Sequence, residues 1–400
     1  KIKEALQIAR ENQPEVAAAV DIHDIKRFVR DPVINNLVKT AQCMGCFYVE
    51  SPAMRMLLRK LEVDNYLGLV AASSIIRPGV SKSGMMREYI LRHRQKGRAE
   101  EKAHPVMLDI MPDTYGVMVY QEDVLKVAHY FGGLTLGEAD MLRRGMSGKF
   151  RSREEFLKVE KQFFENCSKK GHSRELSVEI WRQIESFAGY AFAKGHSASY
   201  AVESYQSLFL KAYYPLEYMV AVLNNGGGFY RSEHYIHEAR MLGATIHVPC
   251  INRSGMVNRI EGKDIYLGFM YLKDLESRVV ERIIRQRETK GPFACLEDFL
   301  DRVPISIEQL SILIRIDAFR ITGVEKHELL WQAHMLLSRG NPIEHPRLFP
   351  PQHSTYQIPQ LHSTRLEEAF TELELLGFCL CSPFELLAKP VANRYNCKHL

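Results

Sequence analysis

No apolar run in this 400-residue sequence approaches the roughly 20 residues that cross a bilayer as a helix. The first residues, KIKEALQIARENQ, are charged with a helical period, which excludes a secretory signal peptide. There is no nucleophile elbow, no Walker loop, no HExxH and no GxGxxG following a strand. The eight cysteines are scattered. Cys43 and Cys46 form a C-x-x-C and Cys379 and Cys381 a C-x-C, but no second pair lies within zinc-ribbon range of Cys43. Ordinary reduced thiols are expected, as in a cytoplasmic protein. Carboxylates within the basic segments, such as Glu122 and Asp140, are isolated and assemble no two-metal site. His196-Ser197 beside Lys194 suggests a hydrolytic pair only superficially, because sequence neighbours rarely face each other as base and nucleophile.

What is present suits a soluble globular chain of about two to four domains: 46% hydrophobic and 25% charged residues. The net charge of +5 decides little by itself. Its distribution says more, with basic clusters at Arg55–Lys60, Arg87–Arg98, Leu142–Arg153 and Arg278–Arg287. One such cluster is a solvated helix face; several, interleaved with aromatics, fit a polyanionic partner.

Helical periodicity recurs along the chain. Ser51-Pro52 predicts a helix start by N-cap and first-turn proline, and Arg77-Pro78-Gly79 stops a helix over Tyr66–Ile76. CFYVES (Cys46–Ser51) reads as β-rich, and YGVMVY before Gln121 as a short strand or turn leading into a helix. A short basic helix is expected at MLRRGM, followed by a polar loop. Asn224-Asn225-Gly226-Gly227-Gly228 is the strongest breaker, and residues 341–361, rich in proline and histidine, read as a linker.

Phe187–Tyr214, FAGYAFAKGHSASYAVESYQSLFLKAYY, opens on a small-residue turn carrying Lys194 and His196 and runs into a long helix. Cations at a helix N-terminus suit phosphate. Arg77, Arg143, Arg144 and Lys149 also fall at turns and helix ends, where arginine forks phosphate oxygens and lysine acts as a point charge. Tyr190, Phe192, Tyr200 and Tyr205 serve either as core or as stacking platforms for a base.

RPGVSKSGM (Arg77–Met85), the long segment Thr114–Lys149 and Phe187–Pro215 closely resemble the fingers of the bacterial C-family DNA polymerases, the family of the DNA polymerase III alpha subunit. The match is collinear over about residues 40–330. It implies a mainly α-helical fold with polymerase fingers over 1–225, a DNA-binding region with tandem helix-hairpin-helix motifs over 226–340, and a linker and tail over 341–400. It also implies that Arg77, Arg143, Arg144, Lys149, Lys194 and His196 bind the incoming deoxynucleoside triphosphate. The Mg2+-binding aspartates of the palm are expected before Lys1, so no catalytic or metal-binding residue is assigned within the chain.

YLKDLESRVVERIIRQR and ISIEQLSILIRIDAFRITG resemble the family's hairpins, which bind duplex backbone through main-chain N–H groups. Asp274 and Glu276 stand where glycine is usual, and Lys273, Arg278 and Arg282 are the candidate DNA contacts. Leu348-Phe349 matches the hydrophobic pair of a sliding-clamp peptide, with His345 in place of glutamine; clamp peptide and plain linker both fit. The implied partners are primer–template, nucleotide, sliding clamp and other replisome subunits, in a nucleoid-associated cytoplasmic protein. Replicative and translesion branches of the family both remain open.

Overall fold

The computed structural model describes residues 1–76, 84–144, 153–186, 193–337, 361–382 and 386. Arg77, Lys149, Tyr190, Phe192, Leu348 and Phe349 lie outside the described residues. The chain is mainly α-helical, and it divides into two compact units: Val20–Tyr213, and Lys1–Ala19 together with Tyr214–Leu400. Helix α1 (Ile2–Asn12) belongs to the second of these.

The unit Val20–Tyr213 contains α2 (Pro32–Lys39), α3 (Pro52–Leu61), α4 (Tyr66–Ile75), α5 (Met85–Arg94), α6 (Gln121–Lys126), α7 (Leu136–Arg144), α8 (Arg153–Lys169), α9 (Arg174–Ser186) and α10 (Lys194–Tyr213). Starts are set by caps. Asp31 accepts from the N–H groups of Val33 and Ile34, and Ser51 from Met54, each with proline at the first helical position. Helix α10 packs on α2 and α4 and is the spine of the unit. Its lower half is buried: Phe209 stacks on Phe28 at 4.2 Å between ring centroids, and the Tyr205 hydroxyl donates to Asn35 Oδ1 at 2.9 Å. The buried Lys211 ammonium donates to the Met44 carbonyl at 2.6 Å, so its charge is solvated by backbone. After α6 the helix widens to a π turn over Val127–Phe131. Gly132 follows because a Cβ there would fall 2.2 Å from the Phe163 ring of α8.

Two local expectations need correction. Cys46–Ser51 forms turns and no strand. Tyr48 takes φ 67°, and the Phe47 and Tyr48 rings both pack edge-on against Tyr200, so the aromatics that suggested β-structure serve a turn. Of the strand or turn expected ahead of α6 it is the turn that forms, with Tyr115 and Gly116 both at positive φ. The arginine-bearing helix starts at Leu136, five residues before MLRRGM, because Thr135 and Glu138 close a reciprocal cap: Thr135 N–H donates to Glu138 Oε2 at 2.7 Å, and Glu138 N–H to Thr135 Oγ1 at 3.2 Å.

In the other unit α1 packs on α11 (Pro215–Asn224), which also packs on α12 (Ser232–Met241). Elements on both sides of the Asn-Asn-Gly-Gly-Gly breaker therefore share this unit. A small sheet follows, in the order β1 (Thr245–His247), β3 (Asp264–Tyr266), β2 (Arg259–Glu261), with β1–β3 parallel and β2–β3 antiparallel. Next come α13 (Ser277–Lys290), α14 (Leu296–Arg302), α15 (Ile307–Arg315), α16 (Lys326–Leu337) and α17 (Arg365–Leu376). Phe293, Phe299 and Phe319 form a buried aromatic row, each adjacent pair 5.0 Å apart between centroids.

Phe209→Ala should lower the unfolding free energy by about 3–5 kcal/mol, the usual cost of emptying an aromatic core position. Urea denaturation followed by circular dichroism measures it, and a loss within about 1 kcal/mol would contradict the assigned stacking role.

Candidate functional site

Four sequence-predicted cations of the first unit fall within the described residues, and two of them are joined by one turn. Helix α6 begins at Gln121-Glu122. Gln121 Oε1 lies 3.5 Å from Arg143 Nη1, and the Glu122 carboxylate accepts the backbone N–H of Lys194 on both oxygens, at 3.1 and 3.0 Å. The C-terminal end of α7 and the first turn of α10 are thus held against the same dipeptide. The Lys194 ammonium sits 5.3 Å over the Tyr120 ring and 3.7 Å from Asp113 Oδ2. Residues Asp113 to Glu122 therefore address both the backbone and the side chain of Lys194.

Arg143 and Arg144 share one counter-ion. Asp140, one turn earlier on α7, accepts from Arg143 at 2.9 Å (Nε) and 2.8 Å (Nη2) and pairs with Arg144. The hydrogen bond from Arg143, then that from Arg144, holds the Asp140 carboxyl below its ordinary range. Arg144 is the more exposed of the two, with 67% of its side chain accessible against 30% for Arg143. His196 stacks obliquely on Tyr200 at 4.2 Å, half-buried. Tyr205 is fully buried core, and burial pushes its hydroxyl pKa up.

Sequence reasoning missed Gln121, Glu122 and Asp113 as parts of this group. Glu122 had drawn notice only as an isolated carboxylate, and its acidic place in the first turn of α6 was the available signal. Asp123 beside it is structural: buried, it accepts from the N–H groups of Val119 and Tyr120, while burial pushes its pKa up. A cleft of about 830 Å³ in the same unit is lined by Glu88, Arg92, Arg98 and Arg182, among others, and by neither Arg143 nor Lys194.

Among the described residues no group of three or more His, Cys, Asp or Glu side chains is arranged to hold a metal ion. These residues do not fit a divalent cation. No described helix is long and apolar enough to cross a membrane.

In the other unit, the turn between Lys273 and Glu276 is closed from within. Asp274 takes φ 62°, the left-handed conformation that glycine adopts freely, whereas Glu276 at φ −70° needs no glycine. Gln309 of α15 fills the turn, accepting the Glu276 N–H at 2.7 Å and donating to the Asp274 carbonyl at 2.8 Å. The Lys273 N–H donates to the Leu375 carbonyl of α17 at 2.9 Å. Arg278 pairs with Glu276, and Arg282 donates to the Pro304 carbonyl at 3.2 Å.

Residues 1–171 match the family described as the bacterial DNA polymerase III alpha subunit finger domain, and residues 243–329 match a helix-hairpin-helix motif. These matches define a class, a polymerase finger domain joined in one chain to a helix-hairpin-helix region. The chain belongs to the family of the bacterial DNA polymerase III alpha subunit. It is 30% identical to the DNA polymerase III subunit alpha of Aquifex aeolicus over 382 residues, covering 94% of this chain and 32% of that protein. The Thermus aquaticus subunit is 33% identical over 300 residues (72% of this chain, 24% of the relative). The Pseudomonas aeruginosa subunit is 35% identical over 319 residues (76% and 27%). The chain spans about a quarter to a third of the length of these relatives.

The Asp140 pairing has a pH signature. A carboxyl whose folded pKa is depressed stabilises the fold above its ordinary unfolded value, and that contribution is lost as pH falls through the depressed value. Carbon-13 titration of the Asp140 carboxyl should show a midpoint below the ordinary aspartate range, and Arg143→Ala should move it upward. An unmoved midpoint would mean the hydrogen bond does not set it.

Proposed function

We propose that this chain supplies the fingers and adjoining DNA-binding region of a DNA-directed DNA polymerase. In this reading the incoming deoxynucleoside triphosphate meets Arg143, Arg144, Lys194 and His196, together with Arg77 and Lys149, which lie outside the described residues. The observation that carries the reading is the Gln121-Glu122 turn, which brings Arg143 and Lys194 to one locus although they are 51 positions apart in the sequence. Two cations from separate helices suit a triphosphate, with arginine forking oxygens and lysine adding a point charge. Their contribution to phosphoryl transfer is binding and orientation of the reacting phosphate. The Mg2+ of the reaction is assigned to palm aspartates beyond the described residues.

The functional division follows chain order, with fingers over 1–225, a DNA-binding region over 226–340 and a linker and tail over 341–400. Lys273, Arg278 and Arg282 flank the first hairpin and are the proposed contacts to duplex phosphates. Because Gln309 and the Leu375 carbonyl occupy N–H groups of the turn, the three cationic side chains, more than the hairpin N–H groups, are its means of reaching DNA. Leu348 and Phe349 are proposed to dock on a sliding clamp, which together with other replisome subunits completes the partners of a cytoplasmic, nucleoid-associated enzyme. Duty in replication is the preferred reading, with the translesion branch as the second.

Replacing both Arg143 and Arg144 by alanine in the full-length protein should lower kcat/KM for nucleotide by about tenfold or more, equivalent to roughly 1.4 kcal/mol of lost transition-state binding. Unchanged steady-state kinetics would remove the pocket assignment and leave a DNA-gripping module. For the clamp, Leu348→Ala with Phe349→Ala should weaken clamp affinity at least about tenfold by surface plasmon resonance, as expected for hydrophobic anchors. No loss would return the segment to a linker.

A further inference from the structure

We infer that Glu122 is a positioning residue for nucleotide binding, acting through Lys194; the inference rests on the nucleotide-pocket reading of Lys194. The geometry is specific. Both Glu122 oxygens accept one backbone N–H, that of Lys194, the first residue of α10, at 3.1 and 3.0 Å. A carboxylate there satisfies a donor that the helix leaves open and complements the positive end of its dipole. Glu122 itself sits in the first turn of α6, so one negative charge serves two helix starts.

The same short segment also sets the direction of the Lys194 side chain. Tyr120 lies beneath the ammonium at 5.3 Å from its ring centroid, and Asp113 stands 3.7 Å from it. Backbone and side chain of Lys194 are therefore both referenced to residues Asp113–Glu122. Gln121, the neighbour of Glu122, lies against Arg143. Moving Glu122 changes where the lysine stands relative to the arginine pair without removing any cation. Loss of the carboxylate should thus weaken nucleotide binding while sparing DNA binding.

The test is steady-state kinetics on a primed template with the full-length protein, comparing Glu122→Ala, Glu122→Gln, Lys194→Met and the Glu122→Ala/Lys194→Met double variant. Glu122→Ala should raise the nucleotide KM about tenfold, the scale of one lost charge-assisted hydrogen bond, with primer–template affinity unchanged. Glu122→Gln keeps an acceptor for the Lys194 N–H and should stay within about threefold of wild type. In the double variant the Glu122 substitution should add nothing beyond Lys194→Met, because both act through one side chain.

A KM that is unchanged or lowered in Glu122→Ala overturns the inference; a lowered value would mean that the carboxylate competes with phosphate for the helix start. Full additivity in the double variant, or equal loss in Gln and Ala, also overturns it. If Lys194→Met itself leaves KM unchanged, the nucleotide-pocket reading fails instead. Should Glu122→Ala not fold, hydrogen exchange of the Lys194 amide decides between wild type and Glu122→Gln. Protection in both supports the clasp, and exchange at the rate of an open amide in wild type overturns it.

Discussion

The hydrogen bonds that the first N–H of α10 donates to Glu122 set the terms for the finger unit. A helix of 20 residues that forms the spine of a unit must have its start fixed as firmly as its middle, or its first turn frays. The middle is fixed by burial: Tyr205, Leu208 and Phe209 are almost fully enclosed. At the start Lys194 and His196 are half-buried and Ser197 is buried, and a carboxylate from another helix caps the first N–H. Nearby contacts complete the clasp, with the Tyr66 hydroxyl donating to the Ala198 carbonyl at 2.7 Å and Ser74 to Ser197 at 2.7 Å. Lys194 thus sits at a defined place while its ammonium remains partly solvent-accessible.

The charge balance of this region follows from the same geometry. Arg143 and Arg144 lean on Asp140, and the Lys194 ammonium on Asp113. Clustered cations repel, and acids interleaved among them hold the group together at neutral pH. Those pairs are partly exposed, so each is weak in water and separable by a polyanion that offers more oxygens at closer range. Formal net charge is therefore a poor guide here. What matters is which acids are near enough to hold the arginines and exposed enough to release them.

Much of this was legible in the residues. Ser51-Pro52 specified a helix start by local chemistry alone, and the long helix of the Lys194 segment showed in its composition. The Thr135–Glu138 cap carried an equally local signal and was overlooked beneath the glycines before it, so α7 was read too short. Cys46–Ser51 misled for a different reason: aromatic and β-branched residues suit strands, but here their rings pack on Tyr200, a partner about 150 positions away. Pairings of that range are not written in periodicity. The bond between Glu122 and Lys194 spans 72 positions, and the parallel β1–β3 pair depends on similarly non-local register. The cations of the proposed site were nameable as candidates because their residue type declares them. The carboxylate that positions one of them was not, because its role exists only once the helices are folded.

The first hairpin shows the same principle running the other way. A turn that offers free N–H groups to phosphate must keep them unoccupied, yet here Gln309 takes the Glu276 N–H and Leu375 the Lys273 N–H. The two acids of the turn are consistent with this. Asp274 accepts the left-handed conformation at some cost in strain, and Glu276 turns its carboxylate to Arg278. With these N–H groups taken by protein acceptors, carboxylates at the rim of the turn do less to spoil a phosphate site. The two acids and the internal hydrogen bonds are therefore compatible with each other. The hairpin keeps its shape as a joint between α13, α15 and α17.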